Sequence, residues 1–375
     1  MKKNIAIVNY HLEYKYTGEY SHLIKLKEIL SEKYETELLI PDGIQKKLEQ
    51  KNSTEKFGFK AKNILGIRKL LKQIDGKYSI IHLILPTPIF NILLIGLTFK
   101  SKLIVQFESN LWDISFKILL HGLKYDFVFF LTRVFLSNKY IAGFFGANAD
   151  YYLVSTEYQK NELLNLNYPE NKIKILPSLF IEPEKTNKSG EELKKLSDIK
   201  NNGVYLTYIG HFFAVKGIFF LINSLADLLK KRNMKLILAY SGLGDIYKII
   251  KLIQRLDLTR HIIIIEKINV IELMNLSDIL IFPYLTSMGT TLYPAVVMEV
   301  FSTKKKVLLP DLQIYKHFPE YNKNVYLYRN FDAKDFIIKV IYLLENKISN
   351  EDISNNIFDL KINIEGYLNL YNEFN

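Results

Sequence analysis

Two runs of strand-like and helix-like periodicity, separated by one polar stretch, limit what this chain can fold into. In the first run Ile5–Val8 reads as a buried strand, and Tyr20–Leu30 carries a helical stripe at Leu23, Ile24, Leu26, Ile29 and Leu30. Glu37–Ile40 is a second strand, closed by the turn residues Pro41-Asp42-Gly43. Ile64–Ile74 is helical, and Ser79–Leu85, Lys102–Phe107, Tyr151–Ser155 and Lys172–Leu176 read as further strands. Alternation of this kind predicts a parallel sheet with helices on both faces.

The polar stretch Glu182–Gly203 interrupts the pattern and reads as an interdomain connection. The alternation then restarts. Tyr205–Ile209, Lys235–Tyr240, Ile262–Glu266, Ile279–Pro283 and Lys306–Leu309 are predicted strands. Ile218–Lys231, Ile246–Leu256, Val270–Leu276 and Tyr293–Ser302 are the helices between them. A chain of 375 residues is too long for one hydrophobic core, so two α/β domains are expected. Two doubly wound, Rossmann-like domains facing across a cleft bind ligand where the carboxyl ends of their strands converge.

Cysteine is absent, which excludes disulfides, thiolate catalysis and cysteine-held metals. The apolar run after Met1-Lys2-Lys3 is too short for a secretory signal and reads as the first strand. Ser79–Thr98 is uncharged but contains His82, Pro86, Pro88 and Asn91, so it reads as strand, loop and helix rather than a membrane span. A cytoplasmic protein without transmembrane segments is expected. Net charge is +11, and residues 1–150 carry +8 of it, from 22 Lys/Arg against 14 Asp/Glu. Such a surface suits anionic lipid or a phosphorylated acceptor, and equally reads as a solvated lysine-rich face. No nucleic-acid-reading element accompanies the charge, so no nucleic-acid partner is expected. Between Leu111 and Phe145 the chain is rich in Phe, Leu and Ile with scattered Lys, His and Arg. That composition suits buried helix, or a helix face dipping into the interfacial layer of a membrane and holding the protein there peripherally.

Three segments in the second half carry candidate chemistry. Gly210-His211-Phe212-Phe213-Ala214-Val215-Lys216-Gly217 follows a strand and places Lys216 at a helix entry, where a cation and unpaired amides together make a phosphate site. Ser241-Gly242-Leu243-Gly244-Asp245 suits a tight strand-to-helix turn with ligand approach. Met288-Gly289-Thr290-Thr291-Leu292-Tyr293-Pro294 offers small residues ahead of a helix on which Glu299 lies among Val and Phe. Each segment alone is a weak signal. Lys216 also reads as surface decoration, and Glu299 as an exposed helix-face carboxylate.

In order, spacing and strand context, these segments and Ser277-Asp278-Ile279-Leu280-Ile281-Phe282-Pro283-Tyr284 resemble the C-terminal domain of retaining GT-B glycosyltransferases, specifically glycosyltransferase family 4. The similarity covers most of residues 200–345 and is loose in the N-terminal half. It implies an acceptor domain over residues 1–182, a nucleotide-sugar domain over 203–350, and a terminal segment over 351–375 whose helix, near Phe358–Phe374, crosses back to the first domain. It further implies that Lys216 holds the donor diphosphate. His211 stands where the family has Arg. Glu299 matches the second of the family's paired glutamates, the one that contacts ribose, while Thr291 replaces the first. Gly210, Gly242, Gly244, Gly289 and Thr290 complete the implied donor site. Gly18 is what remains of the family's N-terminal glycine-rich loop, and Glu108 stands where the family has a histidine near the reaction centre. Glu108 reads as a group that orients an acceptor hydroxyl or stabilises charge on the sugar, or equally as a loop carboxylate. His82 reads as an acceptor-side residue or a satisfied core histidine.

The expected activity is transfer of a sugar from a nucleoside-diphosphate sugar to the hydroxyl of a glycan or lipid-linked acceptor with retention, using no metal and no cofactor. The replacements at His211 and Thr291 also fit a non-catalytic relative that binds the nucleotide-sugar or serves as a partner subunit.

Overall fold

The computed structural model describes residues 3–9, 18–39, 61–111, 115–127, 131, 134–135, 138–144, 148–177, 179, 196–197, 203–266, 269–287, 295–301, 305–316, 318–321, 323–346 and 360–374. The strands assemble into two six-stranded sheets. The first contains β1 (Asn4–Asn9), β2 (Glu35–Leu39), β3 (Ile80–Leu85), β4 (Lys102–Phe107), β5 (Tyr151–Val154) and β6 (Ile173–Ile175), in the order β2-β1-β3-β4-β5-β6. The second contains β7 (Val204–Phe212), β8 (Met234–Gly244), β9 (Ile262–Glu266), β10 (Ile279–Ile281), β11 (Lys306–Pro310) and β12 (Val325–Tyr328), in the order β12-β11-β10-β7-β8-β9. Every pairing is parallel. The reason is legible in β3, whose six residues are all buried and, His82 apart, apolar: such a run is covered on both faces, as parallel strands require.

Helices flank both sheets. α1 (Gly18–Ser31) and α2 (Ala61–Ile74) belong to the first lobe. Leu23 and Leu26 of α1 pack with Ile5 and Ile7 of β1, and Ile67 and Leu71 of α2 pack with Ala6 and Val8 on the other side. α3 (Phe116–Tyr125) starts at Ser115, whose side chain accepts from the Ile118 amide. α4 (Lys139–Gly143) and α5 (Glu157–Asn165) follow. In the second lobe come α6 (Ile218–Lys231), α7 (Ile246–Arg255), α8 (Val270–Leu276), α9 (Ala295–Phe301), α10 (Phe318–Tyr321) and α11 (Ala333–Glu345).

Two helices leave the half of the chain they belong to. α12 (Leu360–Asn372) buries Tyr367, Leu370 and Tyr371 in the first lobe, among Ile7, Leu23, Ile80 and Ile104. Polar bonds fix its end. Tyr34 Oη donates to Asn372 Oδ1 at 2.7 Å, Lys174 pairs with Glu373 at 3.2 Å, and Lys3 reaches the Phe374 carbonyl. In the opposite sense, α3 seats on the second lobe. Ile118 joins its core, the Tyr125 ring stacks on Phe219 at 4.2 Å, and Lys248 Nζ donates to the Tyr125 carbonyl at 3.0 Å. By position α3 falls in the segment expected as the acceptor domain, yet its apolar face is covered by the other lobe.

Inside the first lobe, His82 Nδ1 lies 2.6 Å from the Tyr371 hydroxyl, and both side chains are fully buried. Burial, then the neighbouring His22, lowers the His82 pKa to about 3, so the ring is neutral near pH 7. Tyr371→Phe leaves a buried ring nitrogen without that partner. The variant is expected to lose about 1–3 kcal/mol of stability in urea denaturation, with the terminal helix still formed by circular dichroism.

Candidate active site

In the second sheet the chain runs outward through β7, β8 and β9, then returns to lay β10 on the opposite side of β7. The crevice beyond the carboxyl ends of two strands that diverge in this way is where open α/β sheets bind ligands. The return is pinned below the crevice. Asp278 Oδ2 accepts from the Tyr205 amide at 2.7 Å, and Ser277 Oγ donates to Thr207 Oγ1 at 2.6 Å. Three of the singled-out segments therefore leave the same edge of three adjacent strands, β8, β7 and β10.

Above the strands the segments interlock. Gly217 has φ +75°, and a Cβ there would lie 1.7 Å from the Pro283 carbonyl oxygen. The Leu285 amide donates to the Val215 carbonyl at 3.0 Å. Lys216 ends a 3-10 turn, Ala214–Lys216, and its Nζ lies 4.6 Å from the centroid of the buried Tyr284 ring. Contacts from the loop after β10 thus set both the path of the β7 loop and the position of its cation.

Gly242 and Gly244 lie within the end of β8 rather than in the strand-to-helix turn expected of them. β7 and β8 continue as a paired ribbon, with a register shift between Gly210 and Phe212. Gly210, Gly242 and Gly244 have φ of +149°, +87° and +105°. A Cβ on Gly244 would lie 2.5 Å from the Phe212 carbonyl carbon, so the absent side chain is what lets the ribbon close. The helix start lies just beyond, where Asp245 accepts from the Lys248 amide.

Charge at this edge is unevenly held. His211 Nδ1 bonds Ser241 Oγ across the ribbon. Burial, then the Lys216 ammonium, lowers its pKa to about 4, so the imidazole is neutral near pH 7 although part of the side chain reaches solvent. Lys216 supplies the ammonium group beside this ring. Glu299, on α9, has its pKa raised to about 7 by burial.

Residues 189–359 match the family model for glycosyl transferases group 1. No curated protein matches the chain. Among solved structures it is similar to Anabaena HepE in complex with UDP-glucose, at 14% identity, TM-score 0.67, covering 99% of this chain and 100% of that one. It is also similar to a sucrose-phosphate synthase from Thermosynechococcus elongatus, at 13% identity, TM-score 0.68, covering 99% of each chain. A glycosyltransferase from Rickettsia africae aligns at 17% identity, TM-score 0.62, covering 98% of this chain and 94% of that one. At these identities the likeness shows the GT-B fold, with its paired lobes and returning helix.

The group 1 segment thus contains Gly210, His211, Lys216, Gly242, Gly244 and Glu299. Gly289, Thr290 and Thr291 lie outside the described residues. In the facing lobe Gly18 opens α1, nine residues past the end of β1. Glu108 follows β4, is 8% exposed, and neighbours Tyr367 of the terminal helix, whose phenol pKa is raised by burial and then by this carboxylate. His82 is fully buried in the first lobe and bonds Tyr371 of α12, as a satisfied core histidine does.

Three further residues stand out in the structure. Tyr284 closes the Ser277–Tyr284 segment, and its ring lies beneath Lys216. His22, on α1, accepts from the Leu179 amide at 2.8 Å, with burial lowering its pKa to about 4. Asn110, fully buried just past Glu108, has no hydrogen-bond partner for its amide among the described residues.

Two glycine substitutions separate close packing from mere turn geometry. Gly217→Ala is expected to cost at least ~2 kcal/mol, since it combines a disfavoured φ with a clash against backbone. Gly242→Ala meets nothing within 4 Å and should cost about 1 kcal/mol. Urea denaturation of both variants checks the order.

Proposed function

We propose that this chain is a glycosyltransferase that moves a sugar from a nucleoside-diphosphate sugar to an acceptor hydroxyl with retention of anomeric configuration. The observation that carries the reading is the interlocked edge of β8, β7 and β10, where Lys216 is held beside glycine backbone at the switch point of a group 1 segment. In the reaction the bond between the sugar C1 and the diphosphate oxygen breaks, a bond from C1 to the acceptor oxygen forms, and the acceptor proton passes to a base. Negative charge grows on the departing diphosphate. A fixed cation in a water-poor site lowers the barrier to its departure. His211, neutral and bonded to Ser241, supplies a hydrogen-bonding ring rather than a second charge, so leaving-group stabilisation falls to Lys216. Glu299 is assigned to the ribose and Glu108 to the acceptor side. A membrane-presented or lipid-linked glycan is the proposed acceptor, and no metal or resident cofactor is invoked. The complex of the similar Anabaena HepE with UDP-glucose supports a nucleotide-sugar donor.

Lys216→Ala is expected to slow release of free sugar from the donor, measured without acceptor, by about 100-fold or more. Its unfolding midpoint should stay near that of the parent. Sugar release at the parent rate removes the role given to Lys216.

Glu299 makes the reading sensitive to pH. A ribose diol donates to the ionised carboxylate, so bound nucleotide favours deprotonation of a group titrating at about pH 7. Nucleoside-diphosphate affinity is therefore expected to rise as pH increases from about 6 to 8. Calorimetric titrations of Glu299→Gln should show a flatter dependence than the parent. Identical slopes would separate Glu299 from the nucleoside.

A further inference from the structure

The segment that follows β4 carries large apolar side chains that neither lobe covers. Phe116, Leu120, Phe127, Leu131, Phe135 and Phe144 are between 48% and 83% exposed. Stray surface apolar residues are ordinary, but an accumulation of this size within one segment marks an interaction surface. In α3 the arrangement is two-faced. At about 100° per residue, positions 116, 117, 120 and 124 fall on one arc, and all four side chains are exposed. Ile118, His121 and Tyr125 point the other way, into the second lobe. Phe127, Leu131 and Phe135 recur at four-residue spacing in the sequence, and all three are exposed.

Charge selects the occupant. Between positions 114 and 149 the sequence has Lys117, Lys124, Arg133 and Lys139 against the single carboxylate Asp126. Lys117 and Lys124 share the outer arc of α3 with Phe116 and Leu120. Bulky aromatics interleaved with lysines suit the boundary between acyl chains and anionic headgroups, where rings enter the interface and ammonium groups meet phosphate. No helix among the described residues is long and apolar enough to cross a membrane, so the contact is one of lying on the surface. We propose that the outer arc of α3, together with the exposed Phe127, Leu131, Phe135 and Phe144, docks this protein on an anionic lipid bilayer. Because the inner face of α3 abuts the 3-10 turn that ends at Lys216, the docking helix also braces the donor loop.

The test is co-sedimentation of the full chain at low salt. One set of vesicles mixes phosphatidylglycerol with phosphatidylcholine, and the other is phosphatidylcholine alone. The parent protein is expected to bind the mixed vesicles and to bind the neutral ones more weakly. Phe127→Ser combined with Phe135→Ser should weaken binding to the mixed vesicles at least about tenfold. Lys117→Glu combined with Lys124→Glu should weaken it about tenfold or more, removing the preference for anionic lipid. The second pair is fully on the surface, so it reports even where the first perturbs folding. Absence of parent binding, equal binding to both vesicle types, or indifference to both pairs overturns the proposal. So does a parent dimer in size-exclusion chromatography that the Phe127 and Phe135 pair splits, which assigns the face to a second copy of the chain. Because the readout is lipid binding without turnover, it is independent of the glycosyl-transfer reading.

Discussion

The placement of β10 against β7 organises the second lobe, because the crevice at the switch point exists only where the chain reverses between β7's two neighbours. The contact is secured at both ends. At the amino end, Asp278 and Ser277 bond the Tyr205 amide and Thr207. At the carboxyl end, Gly217 lies against the Pro283 carbonyl, Leu285 bonds Val215, and Lys216 rides over Tyr284. A loop held at successive points has little freedom left to lose when a ligand binds, and a cation held above an aromatic face is already in position. That is preorganisation in the sense that matters for stabilising a leaving group.

The electrostatics of this edge follow from burial and proximity. An ammonium next to an imidazole penalises a second positive charge, and partial burial adds to the penalty, so His211 stays neutral. The opposite sign appears at Glu299, where burial favours the protonated acid. The β7 loop therefore sets the Lys216 ammonium beside a neutral ring, while Glu299, on α9, carries a carboxyl group with a pKa raised to about 7.

The lobes are joined by exchanged helices as well as by chain connectivity. α3 leaves the first half to seat on the second lobe, and α12 leaves the second half to seat on the first. Each presents an apolar face to its host and adds polar bonds that set register: Lys248 to the Tyr125 carbonyl in one case, Tyr34 to Asn372 and His82 to Tyr371 in the other. Burying aromatic rings at both junctions ties relative movement of the lobes to the stability of the helices that bridge them. The outer face of α3 takes no part in this, which is why its apolar side chains call for another partner.

The strand cores and the sheet class were legible in the sequence, since parallel strands covered on both faces appear as short apolar runs such as Ile5–Val8 and Ile279–Ile281. Lys216 and Glu299 stand out in the sequence by local chemistry and spacing. Other features needed three dimensions. β12 and α11 went unassigned, and the ribbon of β7 and β8 was read as a turn, because a glycine at positive φ looks the same in a bend as in a bulged strand. His82 sits on the strand pattern of an acceptor-side residue, but only the arrival of Tyr371, 289 positions later, makes it a core group. The Lys216–Tyr284 contact spans a crossover and leaves no periodic trace. Sequence by itself determined the elements and the chemistry available, because both depend on neighbouring residues. Tertiary structure alone decided which groups meet and which are neutral, because proximity and burial arise between segments far apart in the chain.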